Sequence, residues 1–129
     1  MDYAVNLPKA PFQAWGDHAQ IQQSLMNLVF NAIDSMPNGG KLTINGGLNR
    51  AKDMVWLTVG DTGQGIEAED LPRIFEPFYS TKTDGKGVGL GLSMVYGIIR
   101  EHNGFIVVDS KPGVGTVFKI KLPSCQPGE

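Results

Sequence analysis

The chain has 129 residues, is 41% hydrophobic and carries a formal net charge of −2, which is the size of one domain with enough apolar material for one core. No basic patch marks it for nucleic acid, and no apolar run approaches the roughly 20 residues that cross a bilayer, so contact with neither partner is expected. Cys125 is its one cysteine; without an internal disulfide, a metal-ligand spacing or a signal-peptide pattern, a reducing, cytoplasmic setting is expected.

In chain order, Tyr3–Trp15 contains Pro8 and Pro11 among scattered apolar residues and reads as one or two short edge strands. Asp17 offers an N-cap for a long helix over about Ala19–Met36. Its core stripe is Ile21, Leu25, Leu28, Val29, Ala32, Ile33 and Met36, which follow the 3.6-residue period. Ser24, Asn27, Asn31 and Asp34 are placed roughly opposite that stripe. Pro37-Asn38-Gly39-Gly40 stops the helix. Lys41–Leu48 and Met54–Gly60 alternate in polarity across a polar connection and read as an antiparallel hairpin with one wet face. Glu67–Phe75 holds a short helix, with Pro72 near its first turn. The segment Pro77–Gly91 reads as a long Gly-rich loop, of the kind that is functional when it occurs inside a compact domain. A second helix covers about Leu90–Asn103 and ends at Asn103-Gly104. Phe105–Ser110 and Val114–Leu122 form a last hairpin around Lys111-Pro112-Gly113. Helices gathered on one face of a mostly antiparallel sheet make an α+β sandwich.

The 17 glycines cluster at 39–47, 60–65, 85–91 and 113–115, where loops turn through positive φ or backbone approaches a ligand. Four constellations carry candidate chemistry. Asn27 and Asn31 lie one helical turn apart. They are either a solvated polar face or neutral oxygen ligands for Mg²⁺, which binds together with substrate phosphates. Asp61-Thr62-Gly63-Gln64-Gly65-Ile66 follows a strand directly. A carboxylate there can accept from an exocyclic amine, although Asp-x-Gly also marks ordinary turns. Gly85-Lys86-Gly87-Val88-Gly89-Leu90-Gly91-Leu92 leads into a helix and offers backbone N–H groups to phosphate; it matches neither the P-loop nor the dinucleotide fingerprint. Ile74-Phe75-Glu76-Pro77-Phe78-Tyr79-Ser80-Thr81-Lys82 supplies aromatics that either pin a lid or simply fill the core, and Lys82 can reach an anion.

In this order, the segments resemble the catalytic domain of sensor histidine kinases. That family sits within a superfamily that also holds gyrase, the heat-shock chaperone ATPases and the MutL mismatch-repair proteins. Residues 22–32 look like the N box, Asp61–Ile66 the G1 box, Phe75–Phe78 the F box and Gly85–Leu92 the G2 box, with Gly115-Thr116 matching a late Gly-Thr near the adenine. The resemblance implies the Bergerat ATP-binding fold, a two-layer α/β sandwich with a mixed, mostly antiparallel sheet of about five strands and about three helices on one face. It implies ATP and Mg²⁺ as cofactors. Asn31 would bind Mg²⁺, with Asn27 supporting the metal or the phosphates. Asp61 would read adenine N6 with help from Thr116, and Gly63, Gly65, Ile66 and Phe75 would shape the pocket. Lys82, Lys86, Gly87, Val88, Gly89, Leu90 and Gly91 would meet the phosphates. Asn27, Asn31 and Lys82 would act in catalysis.

The hydrolytic branches of this superfamily carry a water-polarising glutamate where this chain has Asn27, an amide that cannot take a proton. The resemblance therefore implies phosphoryl transfer to a histidine supplied from outside. One departure is Asp34, where many histidine kinases have lysine. His18 and His102 do not sit in the family's acceptor pattern. Residues 1–129 are accordingly expected to be one catalytic domain, monomeric by itself, of a longer kinase. Its expected partners are the dimerisation and histidine-phosphotransfer domain of the parent and, downstream, a response regulator receiver. The alternatives are an ATP hydrolase or serine kinase of the same superfamily, or a non-catalytic nucleotide-binding module.

Overall fold

The computed structural model of the chain describes residues 2–6, 18–49, 54–76 and 91–123. Five strands form one sheet: β1 (Asp2–Asn6), β2 (Lys41–Leu48), β3 (Met54–Asp61), β4 (Phe105–Lys111) and β5 (Gly115–Pro123). Their spatial order is β1-β2-β3-β5-β4. β1 runs parallel to β2 and the other pairs are antiparallel. Two α-helices, α1 (His18–Asp34) and α2 (Gly91–Glu101), and a 3₁₀ turn at Leu71–Arg73 complete the described elements. The expected α+β sandwich is therefore present; among the described residues a 3₁₀ turn around Pro72 stands where a short helix over Glu67–Phe75 is expected.

The two hairpins follow from alternation. On β3, Val55 and Val59 are buried, and their neighbours across β5, Leu122 and Phe118, are buried as well. Ile106 on β4 faces Ile120 in the same layer. Of these, Val59, Ile106, Phe118, Ile120 and Leu122 meet Leu28, Ala32 and Met36 of α1 and Val95 and Ile99 of α2 in one core. The opposite face of the sheet is wet. There Lys119 Nζ lies 5.6 Å from the Trp56 ring centre, a cation–π contact between two half-buried residues. A hollow beside the end of β3 is lined by Lys41, Thr43, Asn45, Thr58, Gly60, Asp61, Thr62 and Val117.

Helix α1 buries Leu28, Ala32 and Met36, with Ile21, Leu25 and Val29 packed at the margins. Two expectations for this helix are corrected. Ser24 is fully buried and its Oγ donates to the Gln20 carbonyl at 3.1 Å. It stands one turn before Leu28, so it lies on the core side, and it satisfies its hydroxyl within its own helix. Ile33 is 38% exposed and shares the outer face with Met26 and Phe30. Asp17, the expected N-cap, lies outside the described residues, as does 7–15 of the N-terminal segment; β1 supplies the expected edge strand.

Helix α2 ends as its sequence predicts. Asn103 adopts φ 60°, Gly104 N–H donates to the Ile99 carbonyl at 2.9 Å and Asn103 N–H to Arg100 at 3.1 Å. This is the paired-bond helix stop that uses a left-handed residue after the last turn. It delivers the chain into β4, with Gly104 pressed against the backbone of Lys121.

Candidate functional site

The site is built where β3 ends. Asp61 is the last residue of β3, pairs with Thr116 of β5 and with Leu42 of β2, and lies in the inward-facing row with Val59. Strand alternation thus carries a carboxylate into the layer between sheet and helices. Asp61 is 8% exposed and Thr116 4%. Gly63 N–H donates to Asp61 Oδ1 at 2.9 Å, the short Asx turn that Asp-x-Gly favours. Asp61 Oδ2 receives no hydrogen bond from a described residue. A buried carboxylate oxygen in that state can accept from a donor supplied by water or by a ligand, since leaving it unpaired is costly.

The loop after Asp61 is fastened on two sides. Gln64 N–H donates to the Ser35 carbonyl at 3.1 Å, beyond the end of α1, and Gly113 N–H of the β4–β5 turn donates to the Gln64 carbonyl at 2.7 Å. Ile66 N–H donates to Ser110 Oγ at 2.8 Å. Thr62 Oγ1 accepts from Lys41 N–H at 2.9 Å. Gly63 and Gly65 are required by this packing. A Cβ on Gly63 would run into the Ser35 carbonyl; Gly65 has φ 75° and faces the Lys111 carbonyl. Their glycines let the loop lie against α1 and against the hairpin at once.

Asn27 and Asn31 sit half-buried on α1, at the edge between its core side and its outer face. Neither side chain is hydrogen-bonded to another described residue. α1 packs along α2, whose first residue is Gly91, an exposed glycine at a helix N-terminus of the kind that favours anions. The one carboxylate on α1 is Asp34. Phe75 turns inward: its ring centre is 5.2 Å from that of Tyr96 and 6.4 Å from that of Phe118, edge-on to the latter. Of the two readings of the aromatic segment, Phe75 shows core packing, at the point where the chain leaves for 77–90. Lys82, Lys86, Gly87, Val88, Gly89 and Leu90 lie outside the described residues. Among the described residues no group of three or more His, Cys, Asp or Glu side chains is placed to hold a metal ion, and no helix is long and apolar enough to cross a membrane.

Comparison with known proteins decides the family. Residues 16–126 match the family model of histidine kinase-, DNA gyrase B- and HSP90-like ATPases. The chain belongs to this ATPase family. Sensor kinase CckA of Brucella abortus is 49% identical over 120 residues, covering 83% of this chain and 13% of that protein. Sporulation kinase A of Bacillus subtilis is 46% identical over 108 residues, covering 84% of this chain and 17% of that protein. The chain therefore spans a small fraction of the curated relatives it matches. The catalytic domain of histidine kinase ThkA, in a nucleotide-free form, superposes with a TM-score of 0.82 at 33% identity, covering 95% of this chain and 79% of that one.

Within the ATPase domain, sequence reasoning missed Ser110. Its hydroxyl joins Ile66 N–H, the Gly115 carbonyl at 3.0 Å and Thr116 Oγ1 at 2.7 Å. The signal was present: in β4, Ile106 and Val108 point inward, and the next residue in that row is the polar Ser110.

Proposed function

We propose that this ATPase domain binds Mg-ATP and presents the γ-phosphate to a histidine on a separate dimerisation domain of the same kinase. The observation that carries the reading is the buried Asp61 carboxylate, with Oδ1 held by Gly63 and Oδ2 unengaged by any described residue, beside the buried hydroxyl of Thr116. That pair suits the 6-amino edge of adenine. Asn31, with Asn27 beside it, fits the oxygen-donor chemistry of Mg²⁺, which when bound neutralises phosphate charge. Phosphoryl transfer is dominated by such positioning and charge balance.

The choice of transfer over hydrolysis rests on α1. It carries no glutamate, and Asn27 stands where the hydrolytic branches place a base. A neutral imidazole brought by the acceptor domain is already a nucleophile and needs no base to activate it, whereas water does. Lys82 and Lys86 would offset phosphate charge, and Gly87, Val88, Gly89, Leu90 and Gly91 would offer backbone amides. The receiver domain of a response regulator would take the phosphoryl group from the histidine.

Calorimetric titration tests the site. Asp61→Ala is expected to weaken ADP and ATP alike, by at least about tenfold, because it removes a charged acceptor common to both. Asn31→Ala is expected to abolish mainly the Mg²⁺-dependent part of ATP binding. Equal losses for both variants with and without Mg²⁺ would contradict the assignment.

A further inference from the structure

Ser110 holds more than a loop. A hydroxyl has one proton and two lone pairs, and Ser110 Oγ has three polar neighbours. Ile66 N–H can only donate, at 2.8 Å, and so takes one lone pair. The Gly115 carbonyl can only accept, at 3.0 Å, so the Ser110 proton goes there. Thr116 Oγ1, at 2.7 Å, can do either. The remaining lone pair of Ser110 accepts the Thr116 proton. This assignment makes all three contacts hydrogen bonds. The reverse one sets two oxygens 3.0 Å apart with no hydrogen between them, in a site where Thr116 and Gly115 are buried.

The consequence appears at Thr116. With its proton committed to Ser110, Thr116 shows the pocket only lone pairs. Its cross-strand neighbour Asp61 is likewise an acceptor. Directly paired residues on one sheet face lie about 5 Å apart at Cβ, so the two acceptors act on one edge of a bound ring.

We infer that Ser110 is a specificity-determining positioning residue for the nucleotide: by taking the Thr116 proton it makes the pocket demand a donor at the purine 6-position. A 6-amino purine supplies that donor. A 6-oxo purine brings an acceptor toward Thr116 and is rejected, because a site built for one hydrogen-bond pattern strands its own polar groups with the opposite one. The inference rests on the proposed role of Asp61 and Thr116 in reading adenine. Without the Ser110 hydroxyl, Thr116 is free to turn its proton outward. Asp61 and Thr116 would then form an acceptor–donor pair, which no longer excludes hypoxanthine, whose N1–H can face Asp61 and whose 6-oxo group can face Thr116, while adenine keeps its 6-amino bond to Asp61.

The test is the ratio of ADP to IDP affinity for the 129-residue chain, measured by calorimetry with Mg²⁺. The wild-type chain is expected to favour ADP. Ser110→Ala should shrink that preference by about fivefold to tenfold, the size of one redirected hydrogen bond, while Ser110→Thr should keep it. In a Thr116→Val background, Ser110→Ala should leave the ratio unchanged, because its effect passes through the Thr116 hydroxyl. A merely structural Ser110 would weaken both nucleotides by the same factor. That result, or an undiminished change in the Thr116→Val background, would overturn the inference. If circular dichroism shows Ser110→Ala unfolded, Ser110→Cys, similar in shape and poor in hydrogen bonding, is expected to show the same shrinkage, and an unchanged ratio there overturns the inference equally. Absence of ADP binding by the wild-type chain would overturn the nucleotide reading as well, which separates the two failures.

Discussion

At the scale of single residues, Gly65 shows how the loop after β3 is held. Its φ of 75° is a region that side-chain-bearing residues enter only at a cost of about 1–3 kcal/mol, and a Cβ there would meet the Lys111 carbonyl. Gly65→Ala is therefore expected to lower stability by at least about 1–3 kcal/mol, measured as a shift in denaturant midpoint, and to weaken nucleotide binding with it. A change of less than half a kilocalorie would show that the loop is not pinned against the β4–β5 turn. The sequence made both loop glycines legible as residues of a loop that turns through positive φ or approaches a ligand, and Gly65 does turn so. The contacts they permit, to Ser35 and Lys111, join parts of the chain 28 and 46 residues apart, respectively, from Gly63 and Gly65. Local spacing contains no such information. Asp61 and Thr116 were legible as motif residues, whereas the hydroxyl of Ser110 gains meaning only when β4, β5 and the loop are side by side.

At the scale of elements, the bounds of the strands followed from alternation and from the turn residues between them, so β2 was read to the residue and the other long strands to within one. Helix α1 was read correctly as a helix and incorrectly in part as to its faces. A stripe drawn from residue types admits every apolar side chain near the 3.6 period, so Ile33 entered it; Ser24 was excluded for being polar. The packing against α2 and β3 puts Leu28 at the centre and leaves Met26, Phe30 and Ile33 outside. This assignment predicts a contrast. Leu28→Ala should cost about 2–5 kcal/mol, as a cavity in a close-packed core does. Ile33→Ala and Phe30→Ala should each stay within about 1 kcal/mol, because surface changes away from special features are small. Thermal or denaturant unfolding of the three variants checks it; a loss at Ile33 as large as that at Leu28 would restore the rejected face.

For the whole molecule, the described elements join segments far apart in sequence: Thr116 of β5 lies beside Asp61 at the end of β3, and α1, which carries Asn27 and Asn31, packs along α2, which starts at Gly91. The pairing of β3 with β5 is the step that no local signal shows, since it joins strands separated by the 3₁₀ turn, α2 and β4. It is also what sets Thr116 beside Asp61. The family resemblance supplied that neighbourhood from the order of the motifs; spacing alone did not. The sequence of α1 holds no glutamate, and the proposed choice of transfer over hydrolysis rests on that. The central claim is that this domain hands phosphate to a histidine rather than to water. The direct measurement is incubation of the chain with γ-labelled Mg-ATP and the acceptor-helix domain of its own parent kinase, following label on protein and free phosphate together. The account predicts transfer to the acceptor domain in an acid-labile, base-stable linkage, with slow phosphate release when the acceptor is withheld. Rapid release of phosphate by the chain alone, with no label reaching histidine, would contradict it.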